Sequence, residues 1–286
     1  MIFFHADDYG ITKSQTEAIN ECFSGKLNSI SIISNSDYYD KAIRVIPSDC
    51  KRVVIHLNFV EGHSVCASEK LPLLTDENGL FKCSFVKILK MNCSSKRKEL
   101  QKELACEIYA QAKRIIDCDP KKNYSFDSHQ HYHIIPVVFN ALILVIKRLQ
   151  KEGVIIEYVR IPVDPLAPIY SSPSLLLKAS PKNHIKWMLL KFLSTGERTK
   201  LEKLGIRVPV FGCMFYTCQM EKKVVDILYP KYASYADKKN RDLELMFHPG
   251  AIFEKEDLLD KKQNDLVEFY SSSYRKKEKD YLCTGL

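Results

Sequence analysis

Histidines and aspartates gather at four places in this chain where a short apolar run stops. Ile2-Phe3-Phe4 runs into His5-Ala6-Asp7-Asp8-Tyr9-Gly10, and Val53-Val54-Ile55 into His56-Leu57-Asn58. Tyr124-Ser125-Phe126 runs into Asp127-Ser128-His129-Gln130-His131-Tyr132-His133, and Leu245-Met246-Phe247 into His248-Pro249-Gly250. A carboxylate with two imidazoles is a three-ligand set for a divalent cation, with positions left over for water and a substrate oxygen. Such an ion lowers the pKa of its water and polarises a carbonyl, which is hydrolytic chemistry. Adjacent residues on an extended strand point to opposite sides. Asp7 and Asp8 are therefore expected to divide the work, one holding the ion and the other taking a proton from the attacking water. An extended His-x-His-x-His run would turn His129, His131 and His133 to one side at ligand-like spacing.

Taken singly, each cluster has a bland reading. Asp7-Asp8 before Gly10 suits an acidic turn that caps a helix; His56 suits a hydrogen-bonded core position; Pro249 and Gly250 alone explain a turn at His248. Their shared placement at strand ends gives them a joint meaning. In a parallel barrel the C-terminal strand ends open on one face, so the four clusters are expected to meet around one pocket.

The elements that must position them follow a strand-then-helix rhythm, the pattern of βα units and a parallel sheet. Strands are predicted at 2–6, 29–34, 52–56, 124–128, 154–161, 208–212 and 244–247, and helices at 14–23, 95–118, 136–151, 221–228 and 260–270. The count points to an α/β fold, a closed or partly closed (β/α) barrel with parallel strands rather than a small open sheet, formed by a single domain over residues 1–286. The stretch from Asp164 to Leu204 breaks the rhythm with its prolines and then a leucine- and lysine-rich helical pattern around His184 to Leu193. It reads as an inserted helical lid over the site, with a plain packing helix as the nearest alternative. Lys182, Lys186 and Lys191 interrupt its apolar residues too often for a membrane span, and contact of the 181–193 helix with a membrane surface is a lesser alternative.

Composition sets outer bounds. The chain has 286 residues, 45% hydrophobic and 27% charged, as in ordinary soluble globular proteins. Its formal charge of +8 falls in scattered clusters such as Lys96-Arg97-Lys98 and Arg275-Lys276-Lys277, with no aromatic-interleaved basic stripe, so no nucleic-acid partner is expected. Ten cysteines without a CxxC pair suggest reduced thiols. With no basic n-region before Asp7, a cytoplasmic location is expected. A homodimer is compatible with all of this.

The ordered set Ala6-Asp7-Asp8-Tyr9-Gly10, His56-Leu57-Asn58, Asp127 to His133 and Phe247-His248-Pro249-Gly250 resembles the YdjC/ChbG family of carbohydrate deacetylases, which includes hopanoid-biosynthesis deacetylase-like members. The resemblance runs from Met1 to about Gly250, with Val159-Arg160-Ile161-Pro162 as a fifth match. It implies a distorted (β/α) barrel with parallel strands and metal-dependent removal of acetyl groups from N-acetylated sugars, whether saccharides or glycolipids. Asp8, His56 and His129 would ligate one divalent ion, with magnesium or zinc the first candidates. Asp7 would be the general base, His248 the acid that protonates the leaving amine, and Arg160 the group that orients the base. Asn58, Asp127, His131 and His133 are further pocket candidates. His5 stands where the family usually has asparagine, and Val54 where it commonly has glycine. Two other readings compete. One is a metal-dependent phosphoesterase or nuclease, against which the sequence displays no second carboxylate cluster for a second metal. The other is a non-catalytic sugar-binding module, which would need neither Asp7 nor His248.

Overall fold

The computed structural model describes residues 1–118, 123–176, 178–250, 270 and 272–284. Seven strands form one all-parallel sheet in the order β5-β4-β3-β2-β1-β7-β6. They are β1 (Ile2–Tyr9), β2 (Ser29–Ile32), β3 (Arg52–Leu57), β4 (Asn123–Ser128), β5 (Ile155–Val159), β6 (Val210–Gly212) and β7 (Leu243–Phe247). Most are buried on both faces, as a sheet covered by crossover helices requires. The sheet curls until its edges nearly meet. Beside β5, Tyr158 bridges to Arg207, and Val159 N–H donates to the Arg207 carbonyl at 3.1 Å. The result is the partly closed parallel barrel expected from the element count, distorted as the family resemblance implies.

The principal helices are α1 (Lys13–Glu21), α2 (Phe85–Asn92), α3 (Arg97–Cys118), α4 (Pro136–Lys151), α5 (Pro181–Leu193), α6 (Lys222–Lys238) and α7 (Ser273–Cys283). Local chemistry explains their ends. Thr12 caps α1 by accepting the Gln15 N–H at 3.2 Å. Pro136 opens α4, whose buried face is Val137, Val138, Ala141, Leu142, Val145, Ile146 and Leu149, and Gly153 follows it at φ 84°. Ser180 and Asn183 form a capping box at the start of α5.

Several sequence expectations shift. The strand expected at 2–6 continues to Tyr9, so its two aspartates lie within β1 rather than beyond it. The helix expected to stop at Leu228 runs through Pro230 to Lys238. The expected helix at 260–270 lies, but for Tyr270, outside the described residues. α7 was not anticipated, because its sequence is charged and only Arg275, Glu278, Tyr281 and Leu282 are buried. Within the insertion, α5 lays Leu190 against Ile134, Phe211, Cys213, Tyr216 and Met246. It therefore packs over the β6 and β7 ends of the barrel.

Candidate active site

Parallel register sets the polar tips side by side. His5 pairs with Ser29 and Met246, and His56 with Asp127. On β1, His5 and Asp7 alternate with Ala6 and point into the barrel, as a period of two demands. Asp8 should then point outward, yet its backbone takes φ +66° and the pairing with β2 slips between Ala6 and Tyr9. This left-handed residue in an irregular strand turns the second carboxylate back, so both aspartates are buried at the same mouth. The expected division to opposite sides does not hold.

Asp7 is gripped by Arg160, whose Nη1 and Nη2 donate to its two oxygens at 2.8 Å each. The same guanidinium reaches Asp127 at 2.8 Å and Glu244 through Nε, and Glu244 is also held by Arg52. His5 sits beneath, bonded to Ser29 and Ser31 at 2.7 Å and 3.1 Å from Asp7. Burial alone would raise the pKa of Asp7, but Arg160 and the His5 contact outweigh it and hold the carboxyl well below its usual range.

Asp8, His56 and His129 form a second group, with one donor atom from each within 4.8 Å of the others. His56 Nδ1 contacts Asp127 at 2.6 Å, while His129 turns Nδ1 to Asp8 at 2.9 Å and Nε2 to Glu61 at 2.7 Å. Burial would lower both imidazoles. For His56, Asp127 and Asp8 lift the pKa to about 9, and for His129, Asp8 and Glu61 lift it to about 10. Asp8 Oδ2 and His56 Nε2 are buried without a hydrogen-bond partner among the described residues. Buried polar atoms are seldom left so, and both belong to the trio. Carboxylates on the far nitrogens of the two rings are the usual support for imidazoles that bind a metal. Charge agrees. Asp7, Asp8, Glu61, Asp127 and Glu244 are joined to Arg52, Arg160 and Arg275, five acids against three bases, an excess that one divalent cation or two imidazolium protons would balance. The residues present fit a divalent ion.

His248 follows β7 and closes the mouth. Its Nε2 lies 4.0 Å from Asp7 Oδ2, its Nδ1 3.7 Å from Cys218 Sγ, and its backbone N–H donates to Glu278 at 2.6 Å. Burial lowers its pKa to about 4 despite the nearby Asp8 and Asp7. Pro249-Gly250 has its own geometric reason. A Cβ on Gly250 would stand 2.7 Å from Arg275 Nε and 2.9 Å from Gln15 Oε1, so only glycine lets α7 bring Arg275 within 3.9 Å of Asp8.

The histidine run behaves unlike its extended reading. Residues 129–134 form a tight turn in which Gln130 and His131 adopt positive φ, and the three rings diverge. Only His129 reaches the trio. His131 packs against Phe211 and Tyr216, and His133 bonds to the Ser128 hydroxyl at 2.6 Å and the Arg160 carbonyl at 2.8 Å, which fixes the strand end that carries Arg160. Asn58 accepts the Val60 and Glu61 N–H groups and so shapes the loop that presents Glu61. Asp127 links the two groups through His56 and Arg160. Sequence reasoning missed Glu61, Arg275, Glu278, Arg52 and Glu244, which lie outside the histidine motifs. It also missed a second histidine and acid trio, His5, Asp7 and Asp127. Arg160 already supplies a cation to that trio, which makes it the poorer fit for a metal ion.

The fold and site define an α/β barrel with a cluster of carboxylates and imidazoles, able to hold a metal, at its strand ends. The chain belongs to the YdjC-like protein family, whose model matches residues 1–285. It is 28% identical over 162 residues to a carbohydrate deacetylase of Danio rerio, covering 56% of this chain and 49% of that protein. It is 29% identical over 142 residues to a chitooligosaccharide deacetylase of Citrobacter koseri, covering 49% and 52%. The matches thus span about half the length of these curated relatives. A crystal structure from Enterococcus faecalis V583, assigned provisionally to cellobiose-phosphate cleavage, superposes with TM-score 0.60 at 17% identity, over 99% of this chain and 90% of that one. That likeness speaks to the fold.

Proposed function

We propose that this protein is a metal-dependent hydrolase that removes the acetyl group from an N-acetylated sugar, releasing acetate and a free amino sugar. The observation that carries the reading is the pairing of two unlike groups at one mouth. Asp8, His56 and His129 offer ligands, and Asp7 and His248 face each other beside them. A divalent ion held there would polarise the acetyl carbonyl and acidify a water. Asp7, kept ionised and oriented by Arg160, takes the proton from that water as it attacks. His248 starts uncharged, so the proton it delivers to the leaving nitrogen is one it gains during the reaction. Asp7 Oδ2, at 4.0 Å, is the group placed to supply it. Acetate leaves once the amine is protonated, and both side chains return to their starting states.

The names of the family relatives favour this substrate class over phosphate esters, and Arg160 within the second trio supports a one-metal over a two-metal reading. The deciding assay is acetate release from a panel of N-acetylated saccharides and glycolipids, with chelator and metal add-back in each case. Release abolished by chelator and restored by one divalent metal is expected. Tight binding of an N-acetylated sugar without acetate, or hydrolysis of nitrophenyl phosphate alone, would overturn the proposal.

A further inference from the structure

The insertion contributes more than a cover for the barrel. One side of α5 is anchored: Leu190 is buried, the Trp187 indole N–H donates to the Asp164 carbonyl at 3.0 Å, and the Lys186 ammonium lies over the Tyr216 ring. The other side is bare. Ile185 is 62% exposed, Met188 56%, Leu189 37% and Phe192 76%, which places four of the large exposed apolar side chains among the described residues on one helix of 13 residues. At about 3.6 residues per turn, positions 185, 188, 189 and 192 fall on a single arc, and the exposed Lys182 and Lys191 fall on its two margins. Neither lysine has an ion-pair partner among the described residues. The surrounding sequence is one-signed as well. From Pro165 to Gly196 there is no aspartate or glutamate, and the charged residues are Lys178, Lys182, Lys186 and Lys191.

An apolar arc with cations on both margins, in a stretch of chain without acids, matches a specific environment. Apolar side chains settle at the depth where headgroups meet acyl chains, and lysines beside them reach anionic headgroups. We propose that the outer face of α5 docks on the headgroup region of an anionic lipid bilayer, holding the protein at a membrane surface without crossing it. No helix among the described residues is long and apolar enough to span. Pairing of two copies through this face is disfavoured by charge, since a two-fold contact would set these lysines against their own counterparts. The inference does not depend on the reaction proposed above.

Vesicle co-sedimentation of the full chain tests it. Binding to vesicles of phosphatidylcholine and phosphatidylglycerol in equal parts is expected to exceed binding to pure phosphatidylcholine by about tenfold or more and to weaken as salt is raised. The double variant M188E/F192E should lose about tenfold or more of that binding, since both side chains leave the lipid. The variant K182E/K191E should lose the preference for anionic vesicles. Leu144→Glu, an exposed site on α4, should change nothing. Circular dichroism confirms that each variant is folded. No binding of the unaltered protein to anionic vesicles, or undiminished binding by M188E/F192E, would overturn the proposal. So would a dimer in sedimentation velocity that the same variant dissolves, which would assign the face to a second copy.

Discussion

Two trios of histidine and aspartate lie within one barrel, His5 with Asp7 and Asp127, and Asp8 with His56 and His129. The first is complete. Arg160 supplies its cation, and serines and a second arginine satisfy the rest. The second keeps two buried polar atoms without hydrogen-bond partners among the described residues and two imidazoles crowded by carboxylates. Residue types are nearly the same in both, so composition does not separate scaffold from site. What separates them is whether the positive charge is a fixed guanidinium or imidazolium protons that an incoming cation can displace. The fixed charge locks geometry; the displaceable one leaves a trio that fits a cation from outside.

That contrast can be broken or sharpened by substitution. Asp8→Asn should have the largest effect, with bound divalent metal falling from about one per chain to a small fraction and turnover falling with it; elemental analysis of the purified protein reads this, and full retention would remove Asp8 from the ligand set. Asp7→Asn should keep the metal while kcat drops by roughly two to four orders of magnitude, the usual size of a lost acid-base group. A near-normal kcat would leave the reaction without its base. Arg160→Met should cost stability as well as the ionised, oriented state of Asp7, because it strips the cation from three buried carboxylates. Urea unfolding is expected to show a loss of about 3 to 5 kcal/mol, whereas Asp8→Asn should cost much less. Equal losses for the two would erase the distinction between the trios.

Glu61→Gln should weaken metal affinity by about 10- to 100-fold without abolishing it, as for other groups that orient a ligand histidine; competition with a chromogenic chelator measures it. The smallest signal is a proton count. His56 and His129 have pKa values raised to about 9 and about 10, above the ordinary 6.5, so both are protonated at neutral pH. An incoming cation must displace those protons. Titration calorimetry at pH 7 in buffers of different ionisation enthalpy should show up to about two protons released per ion. Release should fade as pH rises past both pKa values, and metal uptake without proton release at pH 7 would mean that the rings are already neutral.

Much of this site could be read from residue order. Asp7, Asp8, His56, His129 and His248 were expected at strand ends, and the parallel register brings those ends together as a barrel must. The seven strands were also legible, because doubly covered parallel strands are short apolar runs bounded by turns. What failed were inferences about the direction of individual side chains. An Asp-Asp pair on a strand should diverge, and a left-handed Asp8 makes it converge. A His-x-His-x-His run should align, and left-handed Gln130 and His131 scatter it. Backbone choices of this kind are set by surrounding contacts and leave little trace in residue type.

The sequence by itself determined the barrel class, the main strands and helices, and the set of groups able to do hydrolytic chemistry, since these follow from local periodicity and residue type. Tertiary structure alone decided which of two similar trios already contains its cation. Arg160 reaches Asp7 across 153 positions and Arg275 approaches Asp8 from a helix near the other end of the chain. Charge balance in a buried site is a sum over neighbours in space, and those neighbours are fixed only when the sheet curls.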